Sequence, residues 1–244
     1  MDDKALVRSK IIDKINIYEK TGEVQATSFL DPLDIIENAS IYNKYLHFLC
    51  GGSDEAERCR LVIGIDNEEA AKEYVAIIKI ESIKKLSHRN VLGSVLGLGL
   101  VRDVIGDIIV DETNAYVFVN SEIKDYIINN LKMVGREKVK LSNCSFDEID
   151  NAKEEFEMQN FTLASLRIDS AISECYGLSR TISSKLIESE KVKLNYRMIS
   201  NPSKAIKQGD LISVRGYGRF VINEVIGETR KGRIRVSIKK YGNN

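Results

Sequence analysis

The chain has 244 residues and a mass of 27.5 kDa, 43% apolar and 30% charged, which is material for one buried core and, at this length, for two or three. Membrane, secreted and disulfide-built classes are set aside: the longest apolar run, Val91 to Val101, is too short for a bilayer and is broken by Gly93, Gly97 and Gly99, the acidic start Met1-Asp2-Asp3-Lys4 lacks an apolar signal core, and Cys50, Cys59, Cys144 and Cys175 are scattered as reduced cytoplasmic thiols are. Lys plus Arg and Asp plus Glu both total 36, but the balance is a cancellation, with 16 basic and 7 acidic residues from Ser165 to Asn244 against 20 and 29 before them, so one segment is suited to a polyanion.

In chain order, Leu6, Val7, Ile11, Ile12, Ile15 and Tyr18 fall at helical spacing over residues 3–20, and Thr21-Gly22 ends the pattern. Asp31-Pro32 opens a second helix, with Asp31 placed to accept an amide, Pro32 in the first position and a face of Leu33, Ile36, Ala39 and Ile41. Tyr45 to Leu49 and Leu61 to Ile65 read as strands around the Gly51-Gly52-Ser53 turn, making residues 1–74 a small mixed domain. Residues 75–143 read β-α-β-β-α-β. The elements are a strand from Val75 to Ile83, a helix from Ser87 to Leu98, strands Val104 to Val110 and Ala115 to Val119 around Asp111-Glu112-Thr113-Asn114, a helix from Ser121 to Met133, and a strand Glu137 to Leu141. This is the ferredoxin-like arrangement, shared by RNA recognition motifs. Tyr116 and Phe118, two apart on the third strand, share one side, where they either stack on bases or pack under the helices. Asp147 to Glu157, with six acidic residues and one lysine, marks residues 144–164 as an acidic linker to a basic domain, 165–244; the fold class expected is α+β.

In the basic domain, Ile168, Ala171, Ile172, Cys175 and Tyr176 make a short helix that stops at Gly177. Ser179 caps a second helix, with Ile182 and Leu186 on its apolar side and Arg180, Thr181, Ser184 and Lys185 on the other. Hydroxyls and basic heads thus gather near a helix start, where free amides and the dipole favour phosphate. Strands follow at Val192 to Leu194 and Leu211 to Arg215, the first leaving through Asn195-Tyr196-Arg197, and a hairpin turns at Thr229-Arg230-Lys231-Gly232 into Arg233 to Tyr241. Two helices docked on such a sheet are expected to bring Arg180, Lys185, Lys191 and Lys193 to one nucleic-acid backbone.

Arg167-Ile168-Asp169, Leu178-Ser179-Arg180, Leu186-Ile187, Lys191-Val192, Asn195 and Gly209-Asp210 resemble the S-four-type RNA-binding domain, or alpha-L motif, over about Ser165 to Arg215. Phe29-Leu30-Asp31-Pro32, Gly51-Gly52 with Ala56-Glu57-Arg58, His88-Arg89, Ile105-Gly106-Asp107, Arg215-Gly216 with Gly218-Arg219-Phe220, and Thr229 with Lys231-Gly232-Arg233 resemble the YlmH family of bacterial S-four-type proteins along nearly the whole chain. The resemblance implies a non-catalytic RNA-binding protein that contacts structured ribosomal RNA, tRNA or both on the large ribosomal subunit in ribosome-associated quality control. It implies a cytoplasmic monomer with no cofactor, whose genes often neighbour cell-division genes. RNA contacts implied by it or by the basic pattern are Arg167, Ser179, Arg180, Ser184, Lys185, Lys191, Lys193, Asn195, Arg215, Arg219, Lys231 and Arg233, with Arg58, Arg60, His88, Arg89, Tyr116 and Phe118 as secondary RNA or partner contacts. Glu190 and Tyr196 stand where the family usually has glycine, and Asn195 is suited to the left-handed turn.

His47, Cys50, Cys59 and His88 match no common zinc spacing, so no metal is expected. Gly93, Gly97 and Gly99 lie within a helical pattern, not between a strand and a helix, which disfavours nucleotide binding. An RNA-modifying enzyme, in which the basic domain only delivers substrate, remains the alternative. It lacks a recognisable active-site motif.

Overall fold

Apolar residues at three- and four-residue spacing make Asp3–Thr21 a helix, α1, which buries Ile11 and Ile15 and leaves Leu6 and Ile17 exposed. The computed structural model describes residues 3–53, 56–111, 114–149 and 156–241. They fall into two compact units that divide after Glu154.

In the first unit, α1 is followed by β1 (Gln25–Leu30), α2 (Pro32–Tyr42), β2 (His47–Cys50), β3 (Cys59–Ile63) and α3 (Glu68–Lys72). The strands form an antiparallel sheet in the order β1-β3-β2. Strand β1 escapes a pattern reading because its sequence, Gln-Ala-Thr-Ser-Phe-Leu, is half polar. Helix α2 starts at Pro32 as expected, and Ala39 and Ile41 of its expected face pack partly buried on the core; its fully buried residues are Asn38 and Tyr42, and Ile36 is exposed. Asp31 makes no side-chain cap and pairs instead with Arg58. Successive residues of a strand face opposite sides. Leu61 and Ile63 therefore join Ile11, Ile15, Leu30 and Tyr42 under the helices, and Val62 points the other way.

Next come β4 (Val75–Glu81), α4 (His88–Leu96), β5 (Ile105–Val110), β6 (Asn114–Asn120), α5 (Lys124–Asn130), the short hairpin β7 (Met133–Val134) and β8 (Glu137–Lys138), and β9 (Lys140–Cys144). The antiparallel order β5-β6-β4-β9 fits a ferredoxin-like sheet. The last strand lies three residues later than expected, because Glu137 and Lys138 pair back on Met133 and Val134 before Leu141 comes into register with Ile80. Residues 112 and 113 of the expected turn lie outside the described residues.

Ile78, Ile80, Val117 and Val119 pack under α4 and α5, against Val91, Val95 and Ile127. The opposite sheet face carries Ile77, Tyr116 and Phe118, and these share a core with Phe29, Cys50 and Val62 of the first sheet. Tyr116 and Phe118 are therefore neither stacked on bases nor placed under the helices: they are 7% and 0% exposed, covered by the N-terminal sheet. A boundary at residue 74 does not separate two cores.

This seam explains motifs scattered through the sequence. Gly52, at φ +96°, lies so close to Phe118 that a Cβ would come within 2.3 Å of its ring, and a Cβ at Gly106 would come within 2.6 Å of Phe29. The Asp107 carboxylate accepts the amides of Glu57 (2.6 Å) and Arg58 (3.3 Å), and burial pushes that carboxyl up to about 6. Arg58 and Arg60, expected as RNA or partner contacts, are buried here. Arg58 pairs with Asp31 (3.3 Å) and donates to the Phe29 carbonyl, and Arg60 donates to the carbonyls of Thr27 and Tyr74 and makes a forked pair with Glu122 (3.0 and 3.2 Å).

The second unit consists of β10 (Phe156–Leu163), α6 (Ile168–Tyr176), α7 (Arg180–Glu188), β11 (Val192–Leu194), β12 (Arg197–Met198), β13 (Leu211–Val214), β14 (Gly218–Glu228) and β15 (Ile234–Tyr241). Its antiparallel sheet runs β10-β15-β14-β13-β11-β12. Both helices pack on one face of it, around Ile168, Ile172, Ile187, Phe220 and Ile238. The linker expected at 144–164 is corrected by this sheet, because Phe156 to Leu163 pair residue by residue with Tyr241 to Ile234; residues 150–155 lie outside the described residues. In α7 the buried side chains are Ser183 and Ile187; the expected Leu186 packs partly buried against the same core, but Ile182 is 45% exposed.

Replacing Arg60 by Met keeps the apolar stem but leaves carbonyls at the seam without donors. Arg60→Met is expected to lower unfolding free energy by about 2 to 4 kcal/mol. Chemical denaturation measures this, and a loss below about 0.5 kcal/mol, the scale of an ordinary surface change, would contradict the role. For Asp107, the folded-state value of about 6 lies above the ordinary 3.8, so the folded chain holds this proton more tightly than the unfolded chain does. Its contribution to stability is largest below about pH 4 and declines as pH rises to about 6. The stability of the wild type minus that of Asp107→Asn should fall by about 2 to 3 kcal/mol between pH 4 and pH 7. A difference constant over that range would refute the shifted carboxyl.

Candidate nucleic-acid interface

Helix α6 ends at Gly177, and the Ser179 hydroxyl accepts the Ile182 amide (3.3 Å) to start α7, whose first turn holds Arg180 and no acid. The Arg180 guanidinium donates to the Ser170 hydroxyl (2.9 Å). One residue away, buried Asp169 takes a forked pair from Arg167 (3.1 and 2.9 Å) and accepts the Ser170 amide (2.8 Å). Both guanidiniums are thus held at the start of α6, with different electrostatic outcomes. Arg167 is balanced by a carboxylate, whereas Arg180 meets a neutral hydroxyl and makes no ion pair among the described residues. Arg180 is exposed at a helix N-terminus, and exposed Thr181 and Lys185 continue its side, with Ser184 half-buried. An exposed cation beside free helix amides is chemistry for phosphate, and its planar fork also suits a base or a pair of phosphate oxygens.

The chain leaves α7 through Glu190 at φ 56° and leaves β11 through Asn195 at φ 47° and Tyr196 at φ 67°. Glu190 and Tyr196, where the resemblance leads one to expect glycine, are therefore both left-handed. Asn195 has a structural use in place of the expected RNA contact: its amide donates to Asp210 (2.9 Å) and its oxygen accepts the Leu211 amide (2.9 Å). Lys191 and Arg215 are exposed together at a corner, where the Arg215 amide donates to the Lys191 carbonyl (2.9 Å). Lys193 sits between buried Val192 and Leu194, so it points to the sheet face away from the helices. Arg180 and Lys185 on one side and Lys193 on the other do not form one row of cations; the unit presents two basic faces.

The outer sheet face carries residues that a one-dimensional reading misses. Direct cross-strand partners continue from Lys193 through Ser213, Arg219 and Tyr241 to Phe156, and such partners share a face. Phe156 and Tyr241 meet edge to face with centroids 6.1 Å apart, and Arg219 and Lys239 each lie 4.9 Å from a ring, over Tyr241 and Phe156 respectively. The available signal was the alternation of Phe156, Met158 and Asn160 with Gln159, Phe161 and Leu163, hidden behind the acidic run.

Of the remaining expected contacts, Lys231 is exposed near the β14–β15 turn, but Arg233 is engaged internally, donating to the Thr162 carbonyl and pairing with Glu174 (3.1 Å). In the first unit, His88 is half-buried and Arg89 exposed at the start of α4. Burial pushes the Cys59 and Cys175 thiols up to about 12 and Cys144 to about 11, which keeps them protonated and poor nucleophiles near neutral pH. Among the described residues no group of three His, Cys, Asp or Glu is placed to hold a metal, and no helix is long and apolar enough to cross a membrane.

Comparison with known proteins adds independent observations. Residues 71–148 match the family model described as "Putative RNA-binding domain in YlmH". The chain is 27% identical over 246 residues, 98% of its own length and 95% of the relative's, to Ribosome-associated protein quality control protein P2 of Bacillus subtilis (strain 168). Among solved structures, Cell division protein ylmH from Streptococcus pneumoniae resembles it in fold with a TM-score of 0.53 at 22% identity, covering 61% of this chain and 94% of that chain.

Glycine at position 190 would relieve the left-handed backbone and remove the negative charge beside Lys191. Glu190→Gly is expected to change stability by less than about 1 kcal/mol, because relief of strain is offset by unfolded-state entropy, and to raise RNA affinity about two- to fivefold at low salt. Titrating labelled ribosomal RNA with both proteins checks this, and unchanged affinity would place Lys191 outside the RNA-binding surface.

Proposed function

Because the chain belongs to the YlmH family, we propose that it is a non-catalytic RNA-binding protein whose second unit, an S-four-type domain, holds structured ribosomal RNA or tRNA. The observation that carries this reading is Arg180, an exposed guanidinium at the start of α7 with no carboxylate partner among the described residues, in a segment with 16 basic and 7 acidic residues from Ser165 onward. Lys185 extends that helix side. Lys191 and Arg215 form a neighbouring corner, and the outer face with Phe156, Tyr241, Arg219 and Lys239 provides rings and cations for unpaired bases. The name of the Bacillus subtilis relative supports the ribosome as the setting and ribosome-associated quality control as the process; the large subunit is the setting that the family resemblance implies. The alternative, an RNA-modifying enzyme, finds no supporting arrangement of nucleophile and base among the described residues.

The test uses the full chain with large-subunit ribosomal RNA and with tRNA. Contact with about four to six phosphates gives a slope of log K against log salt of roughly −3 to −5. Arg180→Ala is expected to cost about 1 to 3 kcal/mol of binding, and Arg233→Ala little, since that charge is already paired. On lysate gradients the protein should travel with large subunits, and Arg167→Ala with Arg180→Ala should release it. Full RNA affinity in Arg180→Ala would remove this surface as the binding site, and failure to sediment with large subunits carrying tRNA would remove the ribosomal role.

A further inference from the structure

The middle domain presents a puzzle of placement. Its sheet has no free face: one side packs under α4 and α5, and the other, with Tyr116 and Phe118, lies against the N-terminal sheet. Any contact with nucleic acid therefore uses an edge or an end of the domain or the outer side of its helices. We propose that it grips RNA phosphates through the edge built from the loop 82–87, the first turn of α4, and the β7–β8 hairpin with the start of β9. This proposal rests on the reading of the chain as an RNA-binding protein and adds a second site to it.

Two segments far apart in sequence are joined there. The Lys84 ammonium pairs with Glu137 (2.9 Å), the Gly135 amide donates to the Ser94 hydroxyl (3.1 Å), and Glu81 stands opposite Lys140 in the β4–β9 ladder. The junction brings Lys84, Lys85 and Arg89 together with Lys132, Arg136, Lys138 and Lys140. Within residues 81–90 and 132–140 there are thus seven Lys or Arg against Glu81 and Glu137, while the rest of residues 1–164 holds 13 basic against 27 acidic residues. Glu137 is engaged by Lys84, and the other six cations are exposed and make no ion pair among the described residues. A concentration of uncompensated positive charge inside an acidic segment is opposed by its own repulsion, so folding does not account for it.

The placement of Arg89 sharpens the point. Ser87 caps α4 by accepting the Asn90 amide (3.2 Å), and the first turn contains His88 and Arg89 but no acid. The helix dipole favours carboxylates there and disfavours cations. A phosphate drawn to those amides would reverse that preference and be held by Arg89 at the same time. None of the seven cations lies over an aromatic ring among the described residues, so the edge is chemistry for a sugar-phosphate backbone and not for stacked bases.

The experiment measures binding of the full chain to large-subunit ribosomal RNA and to tRNA across a salt series. Replacing Arg89, Arg136, Lys138 and Lys140 together by Ala is expected to weaken binding about tenfold or more and to flatten the salt slope by about 2 to 3, since each phosphate no longer neutralised accounts for roughly 0.9. Charge-conserving Arg89→Lys with Arg136→Lys should retain nearly all binding, and each single Ala substitution should flatten the slope by about 0.5 to 0.7, readings that do not depend on the quadruple variant folding. Unchanged affinity and slope in the quadruple variant, while Arg180→Ala still weakens binding, would overturn the edge and leave the C-terminal site standing; an acidic protein would then be the partner of this surface. Weaker binding by the quadruple variant, with Arg180→Ala silent, would support the edge and move the principal site to it. A wild-type chain that binds neither RNA would overturn both.

Discussion

The seam between the two sheets of the first unit is the constraint on which the rest depends. A ferredoxin-like sheet with helices on one side leaves its other side to be covered or used. Here it is covered: Phe29, Cys50 and Val62 lie against Ile77, Tyr116 and Phe118, and the close approach of Gly52 to Phe118 leaves no room for a side chain between them. Closing an apolar seam also removes water from the backbone at its rim, and each polar group there needs a partner. Arg60 supplies donors to two carbonyls, and Asp107 accepts two amides of the 56–58 segment. Arg58 and Arg60, which look like contacts in one dimension, and the glycines of the family motifs are the means by which this seam closes.

With its aromatic face unavailable, the middle domain has only exposed cations to offer a nucleic acid, and over the chain as a whole the cations are distributed unevenly. The formal charge of zero describes the chain at distances much longer than the roughly 8 to 10 Å over which physiological salt screens a charge. At the range of a phosphate contact only local sign matters, and there the second unit and the basic edge of the middle domain are positive. Pairing within each cluster matters as much as count. Arg167 and Arg180 are anchored on adjacent residues, yet a buried carboxylate balances one and a hydroxyl merely orients the other. Orientation without neutralisation is the arrangement that leaves charge for a ligand while limiting the entropy lost in holding it.

The second unit shows how one sheet can serve two surfaces. Its inner face is filled by α6 and α7, so the helix side with Arg180 and Lys185 points outward from one layer and the row from Lys193 to Phe156 points outward from the other. The first side has the charge and helix amides that suit phosphate. The second has rings with cations over them, which suit unpaired bases.

What the sequence determined by itself was local. The helix ending at Gly177, the serine cap at Ser179, the exposed Arg180, the charge asymmetry and the order of elements in the middle domain are set by residues within a few positions of one another, and periodicity reports them. Even there only half of the expected side of α7 is met, Leu186 packing on the core and Ile182 exposed, since a helix rotates by about 100° per position and the docking angle belongs to the sheet beneath it. What only the tertiary structure decided depends on pairings across tens of residues. Phe156 meets Tyr241 through the β10–β15 ladder, Arg60 reaches Glu122 across the seam, and Lys84 meets Glu137 at the basic edge. An arginine has the same spacing and polarity in the sequence whether it ends buried on a carbonyl or exposed to a phosphate. The partner that decides between these outcomes is brought by long-range packing, and no local pattern records it.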